Sequence, residues 1–112
     1  MLKMHPLREM ARGEKGEYVL GMKDLKTHAC YLIYGELNPG ESNRKICPGS
    51  GHEEILLAVS GDLSVSGKPF SGVLPEGCAV HLREEETCSI ANHGESPAIY
   101  VLAGGHSGRA HR

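Results

Sequence analysis

The chain has no tryptophan and a single phenylalanine among its 112 residues. Any core it closes must therefore be aliphatic. Neither sign of charge dominates, since 12 basic and 14 acidic residues leave a formal net charge of −2. No basic stripe is present, which argues against a nucleic-acid partner, and no charged tail marks a membrane surface. Long apolar runs are absent too. The longest is a few residues, against the roughly 20 that a membrane helix needs. The opening Met1-Leu-Lys-Met-His-Pro-Leu-Arg-Glu-Met lacks an apolar h-region, so no secretory signal is expected and a cytoplasmic location is. Four cysteines, Cys30, Cys47, Cys78 and Cys88, include no C-x-x-C pair. They read as free thiols, not as a zinc finger, a thioredoxin-like centre or a disulfide frame.

A sustained 3.6-residue apolar period is also missing from residue 20 onward. Residues 5–15 allow a helical turn, which Gly13 and Gly16 keep short. What the sequence does carry is a series of short β-prone segments separated by turn residues. They fall at 28–37, 54–59, 63–66, 78–82, 88–91 and 98–102. Spacing of roughly 8–12 residues with Gly/Pro turns predicts an all-β sandwich or barrel. In the first segment, period-2 geometry puts Ala29, Tyr31, Ile33 and Leu37 on one face. His28, Cys30, Leu32, Tyr34 and Glu36 take the other, which lies outside if Leu37 points in. The near-continuous apolar run of residues 54–59 predicts burial on both faces. The expected organisation is an N-terminal arm (1–27), one barrel (28–103) and a mobile, glycine-rich tail (104–112).

Two glycine-framed segments give this barrel a closer likeness. The first runs Cys47-Pro-Gly49-Ser-Gly-His52-Glu53-Glu54 and on to Gly61; the second runs from Gly77 through Arg83, Glu85 and Cys88 to Asn92. They resemble the two motifs of the cupin superfamily, G-x5-H-x-H-x3/4-E-x6-G and G-x5-P-x-G-x2-H-x3-N. Glu54 and Gly61 keep the E-x6-G spacing, and Gly77 and Asn92 match in the second motif. The two histidines of the first motif fall on Cys47 and Gly49. Pro, Gly and His of the second become Arg83, Glu85 and Cys88. The turn Asn92-His-Gly-Glu-Ser-Pro97 leading into Ala-Ile-Tyr-Val-Leu also looks like the family's ending. The resemblance spans residues ~35–103. It implies a double-stranded β-helix, or jelly-roll barrel, with a ligand pocket inside and a homodimeric assembly. The charged run 83–86, replacing a tight Pro/Gly turn, is expected to bulge or extend at the barrel mouth.

A metal-binding cupin holds its ion with three imidazoles and a carboxylate. The matching positions here offer Cys47, Glu54 and Cys88, with His52 on the same strand face as Glu54 and able to replace the ligand missing at Gly49. Cys47, His52, Glu54 and Cys88 would form a soft site for zinc, iron or copper. The same residues also read as the relaxed lining of a metal-free pocket, because buried cysteine behaves as a small hydrophobe. The expected ligand pocket is Cys47, Gly49, His52, Glu54, His81 and Cys88. The preferred function is binding of a small molecule or ion without turnover and without a metal cofactor. A metal-dependent enzyme of dioxygenase or isomerase type and a Cys47–Cys88 redox sensor are the alternatives. His93, His106 and His111 are expected to be solvated.

Overall fold

Left-handed glycines turn the chain where the spacing predicts it, with φ of 82° at Gly61 and 86° at Gly77. The computed structural model describes residues 2–107. Its strands are β1 (Glu17–Leu20), β2 (Cys30–Leu37), β3 (Arg44–Ile46), β4 (His52–Ser60), β5 (Leu63–Gly67), β6 (Gly72–Leu74), β7 (Ala79–Leu82), β8 (Cys88–Ala91) and β9 (Ala98–His106). Two short helices, α1 (Leu7–Arg12) and α2 (Met22–Leu25), flank β1. The strands build one antiparallel sheet in the order β1-β2-β9-β4-β7 and a second in the order β3-β8-β5-β6. This is the expected jelly roll. Its core is aliphatic, with Leu37, Leu56, Leu63, Leu82, Ile90 and Leu102 among its buried residues and Tyr100 as its one fully buried aromatic.

Several expectations change in the folded chain. Along β4 the burial alternates: Glu54, Leu56 and Ala58 point in, while Ile55 and Val59 are 49% and 44% exposed. The apolar run is therefore a single-faced strand whose outer side carries uncovered aliphatic residues. The stretch 1–27 is more than an arm, since β1 pairs with β2 from Glu17↔Gly35 to Leu20↔Leu32 and Ala11 of α1 is fully buried. At the other end β9 continues to His106, so the first residues of the expected tail are strand. The rest of that tail, 108–112, lies outside the described residues. Nor does the charged run at 83–86 bulge. Glu86 N–H donates to Arg83 O at 3.0 Å, Arg83 N–H to Glu86 Oε1 at 2.7 Å, and Glu85 takes a φ of 64°. Glu85 thus adopts the left-handed backbone for which the family pattern has glycine. Asn92 is buried and acts as a pin: its Nδ2 donates to Leu37 O (3.0 Å) and Ser96 O (2.9 Å), while its Oδ1 accepts from Gly94 N–H (2.9 Å).

Two rows of residues cross the five-stranded sheet by the same device. In one, Tyr31 on β2 faces Gly104 on β9, and Gly104 faces Glu54 on β4. In the other, Tyr100 on β9 faces Gly35 on β2, and Gly35 faces Glu17 on β1. Each tyrosine ring lies over the glycine and its hydroxyl donates to the glutamate beyond. A Cβ added at Gly35 would collide with the Tyr100 ring, and one at Gly104 with the Tyr31 ring. Both glycines are there because the rings occupy the space a side chain would need.

Arg44 ties the N-terminal segment to this framework. Its Nη1 donates to Gly16 O (3.1 Å), Glu36 O (3.2 Å) and the Tyr100 hydroxyl (3.2 Å). Its Nη2 donates to Lys15 O (3.4 Å) and Glu41 Oε2 (2.6 Å).

The ring-over-glycine packing predicts a specific pair of outcomes. Gly35→Ala forces Tyr100 off its position and should cost about 3 kcal/mol or more. Gly40→Ala, at a φ of 84° with nothing within 4 Å of the added carbon, should cost only about 1–2 kcal/mol of backbone strain. Urea denaturation of both variants checks this, and equal costs would show that the rings do not fix the glycines.

Candidate functional site

Alternation along β4 carries Glu54 into the barrel, where it is 4% exposed. Tyr31 reaches it across Gly104 and donates its hydroxyl to Glu54 Oε2 at 2.5 Å. Burial, and then the bond to Glu54, pushes the Tyr31 phenol well above its usual range, so it stays protonated as the donor. For Glu54 the largest influence is also burial, which raises its pKa. The Tyr31 bond and the nearby His52 pull it back, and Glu17 adds to the rise, leaving a net upward shift. A carboxyl raised by desolvation beside a fixed donor is the sort of group found in binding and reaction sites.

His52, two residues before Glu54, meets the edge of the Tyr31 ring with centroids 5.6 Å apart and planes at 72°. Its other neighbour is His106, again at 5.6 Å. Tyr31 and His52 line an open cavity of about 280 Å³ together with Val19, Met22, His28 and Cys30, among others, and Glu54 lies behind Tyr31. The mouth is largely apolar in its walls and carries its polar groups where Tyr31 and His52 enter.

The remaining expected site residues do not all gather here. Cys88 is buried, 2% exposed, close enough to Glu54 and Cys47 to be influenced by their charge. Burial first, then Glu54, then Cys47 raise its pKa, so the thiol is held protonated, the opposite of what an attacking thiolate needs. Cys47 is exposed and follows the Ile46↔Cys88 pair, so it continues the register towards Thr87. Its sulfur accepts from Thr87 Oγ1 at 3.2 Å. Gly49 is exposed in the loop before β4, and its carbonyl accepts from His52 N–H at 3.1 Å. That loop is clamped by the 83–87 segment: Glu84 Oε2 accepts from Gly51 N–H at 2.5 Å, and Glu85 N–H donates to Pro48 O at 3.1 Å. His81 lies on the outer face of β7, opposite Ile55, with Nε2 2.7 Å from Glu53 Oε1. It is a surface hydrogen-bond partner of Glu53 and does not line the barrel. Among the described residues no three His, Cys, Asp or Glu side chains are grouped to hold an ion. Cys47, His52, Glu54 and Cys88 therefore do not fit the metal that the family pattern implies.

Tyr31 is the site residue that motif reasoning leaves out, because no cupin motif covers it. Its signal is the alternation that puts it on the Leu37 face of β2. His28 and Cys30 are exposed, as their strand phase implies, yet both reach the rim of the mouth.

Glu54 also has a measurable pH signature. Its raised pKa means the folded state binds the proton more tightly than the unfolded chain. The associated stability is complete below the usual glutamate value of about 4.3 and is lost as pH rises through the folded value. Glu54→Gln should remove this loss, so the variant should gain on the parent protein as pH climbs from about 4 to 7. Denaturation of both proteins across that range isolates the effect, and a constant difference would show that Glu54 ionises as freely as in solvent.

No protein-family profile matches the sequence, and no curated protein matches it either. Solved structures do match the fold. A cupin protein from Bacteroides fragilis superposes with a TM-score of 0.71 at 14% identity, over 96% of this chain and 84% of that one. A protein from Thermus thermophilus gives 0.68 at 16% identity, over 94% and 98%. A predicted oxalate decarboxylase from Thermotoga maritima gives 0.65 at 17% identity, over 81% of each chain. The turns, the two sheets and these superpositions agree: the chain is a small domain with the double-stranded β-helix fold of the cupins.

Proposed function

We propose that this domain binds a small molecule at the barrel mouth, with Tyr31, His52 and Glu54 reading its polar end. The observation that carries this is the Tyr31–Glu54 bond at 2.5 Å behind an open mouth. The barrel's other phenol–carboxyl pair, Tyr100–Glu17, is taken up by Arg44, whereas the Tyr31 phenol borders an opening. A ligand's polar end can bond the Tyr31 hydroxyl or the His52 ring, with Glu54 orienting Tyr31 from behind, while Val19 and Met22 cover an apolar body. A mouth of about 280 Å³ is at the small end of ligand pockets, which suits a fragment-sized molecule. Binding requires no metal.

Two other readings have less support. A metal-dependent enzyme would need Cys47, His52, Glu54 and Cys88 around one ion. A redox sensor would need Cys88 as a ready thiolate. The exposed position of Cys47 beside Thr87 weighs against the first, and the protonated, buried thiol of Cys88 against the second. The assembly we favour is a homodimer covering the outer face of the five-stranded sheet, where Ile55 and Val59 stand exposed.

Two measurements test these readings. Val19 and Met22 are 52% and 47% exposed, so Val19→Trp should fill the mouth with less than about 1 kcal/mol of stability lost. In a two-dimensional NMR fragment screen, binders should shift resonances of residues 19–31 and 52, and Val19→Trp should abolish those shifts. Shifts confined to another surface would move the site. For the assembly, light scattering should give twice the 12.1 kDa chain mass, and Ile55→Lys should return it to one chain. A single-chain mass for the unaltered protein at micromolar concentration would rule the dimer out.

A further inference from the structure

We infer that His52 and His106 form a two-imidazole binding site for a divalent transition metal ion, copper or zinc, at the rim of the mouth. This site uses none of the motif cysteines and stands whether or not the mouth also takes an organic ligand. His52 opens β4 and His106 ends β9, and the two are Cα partners in the antiparallel ladder. Directly opposed residues project from the same face, with Cβ atoms roughly 4.5–5.5 Å apart. Their imidazole centroids lie 5.6 Å apart with planes tilted by 48°. Two imidazoles sharing one ion at a nitrogen–metal distance of about 2.1 Å, with a tetrahedral angle between them, have centroids about 5 Å apart. The pair is thus within a small side-chain adjustment of chelating geometry, on a backbone that the ladder already holds.

The surroundings suit the same chemistry. His106 Nε2 lies 2.5 Å from the carbonyl oxygen of His28, to which it donates. Metal-binding histidines commonly give their second N–H to a backbone carbonyl, which fixes the tautomer and makes the other nitrogen the better ligand. With Nε2 engaged in this way, His106 would ligate through Nδ1. His52 is held on its far side by the edge of Tyr31, and the charge of Glu54 is close enough for His52 and Glu54 to influence each other. A negative group behind the pair favours a cation in front of it. Two protein ligands leave the other positions on the ion to water or to a bound anion. Imidazole ranks copper first among the divalent first-row ions and suits zinc as well.

Calorimetric titration of the full chain with Cu²⁺ and, separately, Zn²⁺ tests the site. One equivalent should bind. His52→Gln and His106→Gln should each weaken binding by about tenfold or more, since losing merely the orienting partner of a ligand already costs about that much. His81→Gln, on the outer face, should leave it unchanged. The copper-loaded unaltered protein should show electron-paramagnetic coupling to two nitrogens, a readout that does not depend on any variant folding. Absence of binding, loss in only one of the two rim variants, loss in Cys88→Ser, or loss in His111→Gln with His52→Gln unaffected would each overturn the assignment.

Discussion

A tyrosine ring laid over a glycine on the next strand is the constraint on which the rest of this barrel turns. The device occurs twice, in opposite directions across the β2–β9 pair, and each time the hydroxyl ends on a glutamate one strand further on. A chain with almost no other aromatic bulk fills its interior by this means. Each glycine gives up side-chain packing and gains a ring that bridges three strands. Each ring delivers a polar atom into a region that would otherwise be hydrocarbon. The cost of burying a phenol and a carboxyl is offset because each satisfies the other, and among the described residues no buried side-chain polar atom lacks a partner.

The two rows then diverge in use. Tyr100 is fully buried, and its hydroxyl is shared between Glu17 and Arg44. That end of the barrel is a closed network of structural bonds. Tyr31 is only partly buried and borders the open mouth, with His52 at its edge. The phenol is enclosed in one row and borders an opening in the other. This asymmetry is why the functional reading falls on Glu54 and not on Glu17.

Much of the fold was legible because its turns are written in residue types that have few alternatives. Glycines 61 and 77 occupy left-handed turns, and Asn92 has the short amide that can bond three backbone groups at once. The strands β1, β3 and β6 were not legible: they are three or four residues long, and their extended state comes from the partners they pair with. The site was harder to read. Phase along β4 gave Glu54 and His52 correctly as neighbours on one face. Tyr31 needed the register of three strands, because its partner is reached across a glycine whose meaning lies in another strand's side chain. Spacing alone put His81 and Cys47 with the others, yet a single step along a pleat separates an interior residue from an exterior one. The Arg83–Glu86 turn misled for a different reason. Glu85 adopts a backbone that sequence preference assigns to glycine, held there by the two Arg83–Glu86 bonds that close the turn and by its own N–H to Pro48 O.

Arg44 has a consequence for how such a domain tolerates change. Three of its five acceptors are main-chain carbonyls, and two of those belong to the segment leading into β1. A carbonyl is the same whichever side chain accompanies it. The guanidinium therefore grips the path of the backbone and is indifferent to the letters spelled along it. The exposed positions of the leading segment can be rewritten while its docking persists, provided the arginine stays and so do buried Ala11 and Gly16, whose φ of 93° and contact with Glu36 O leave no room for a side chain. A domain fastened in this way can drift far from its relatives in sequence and still superpose on them in three dimensions.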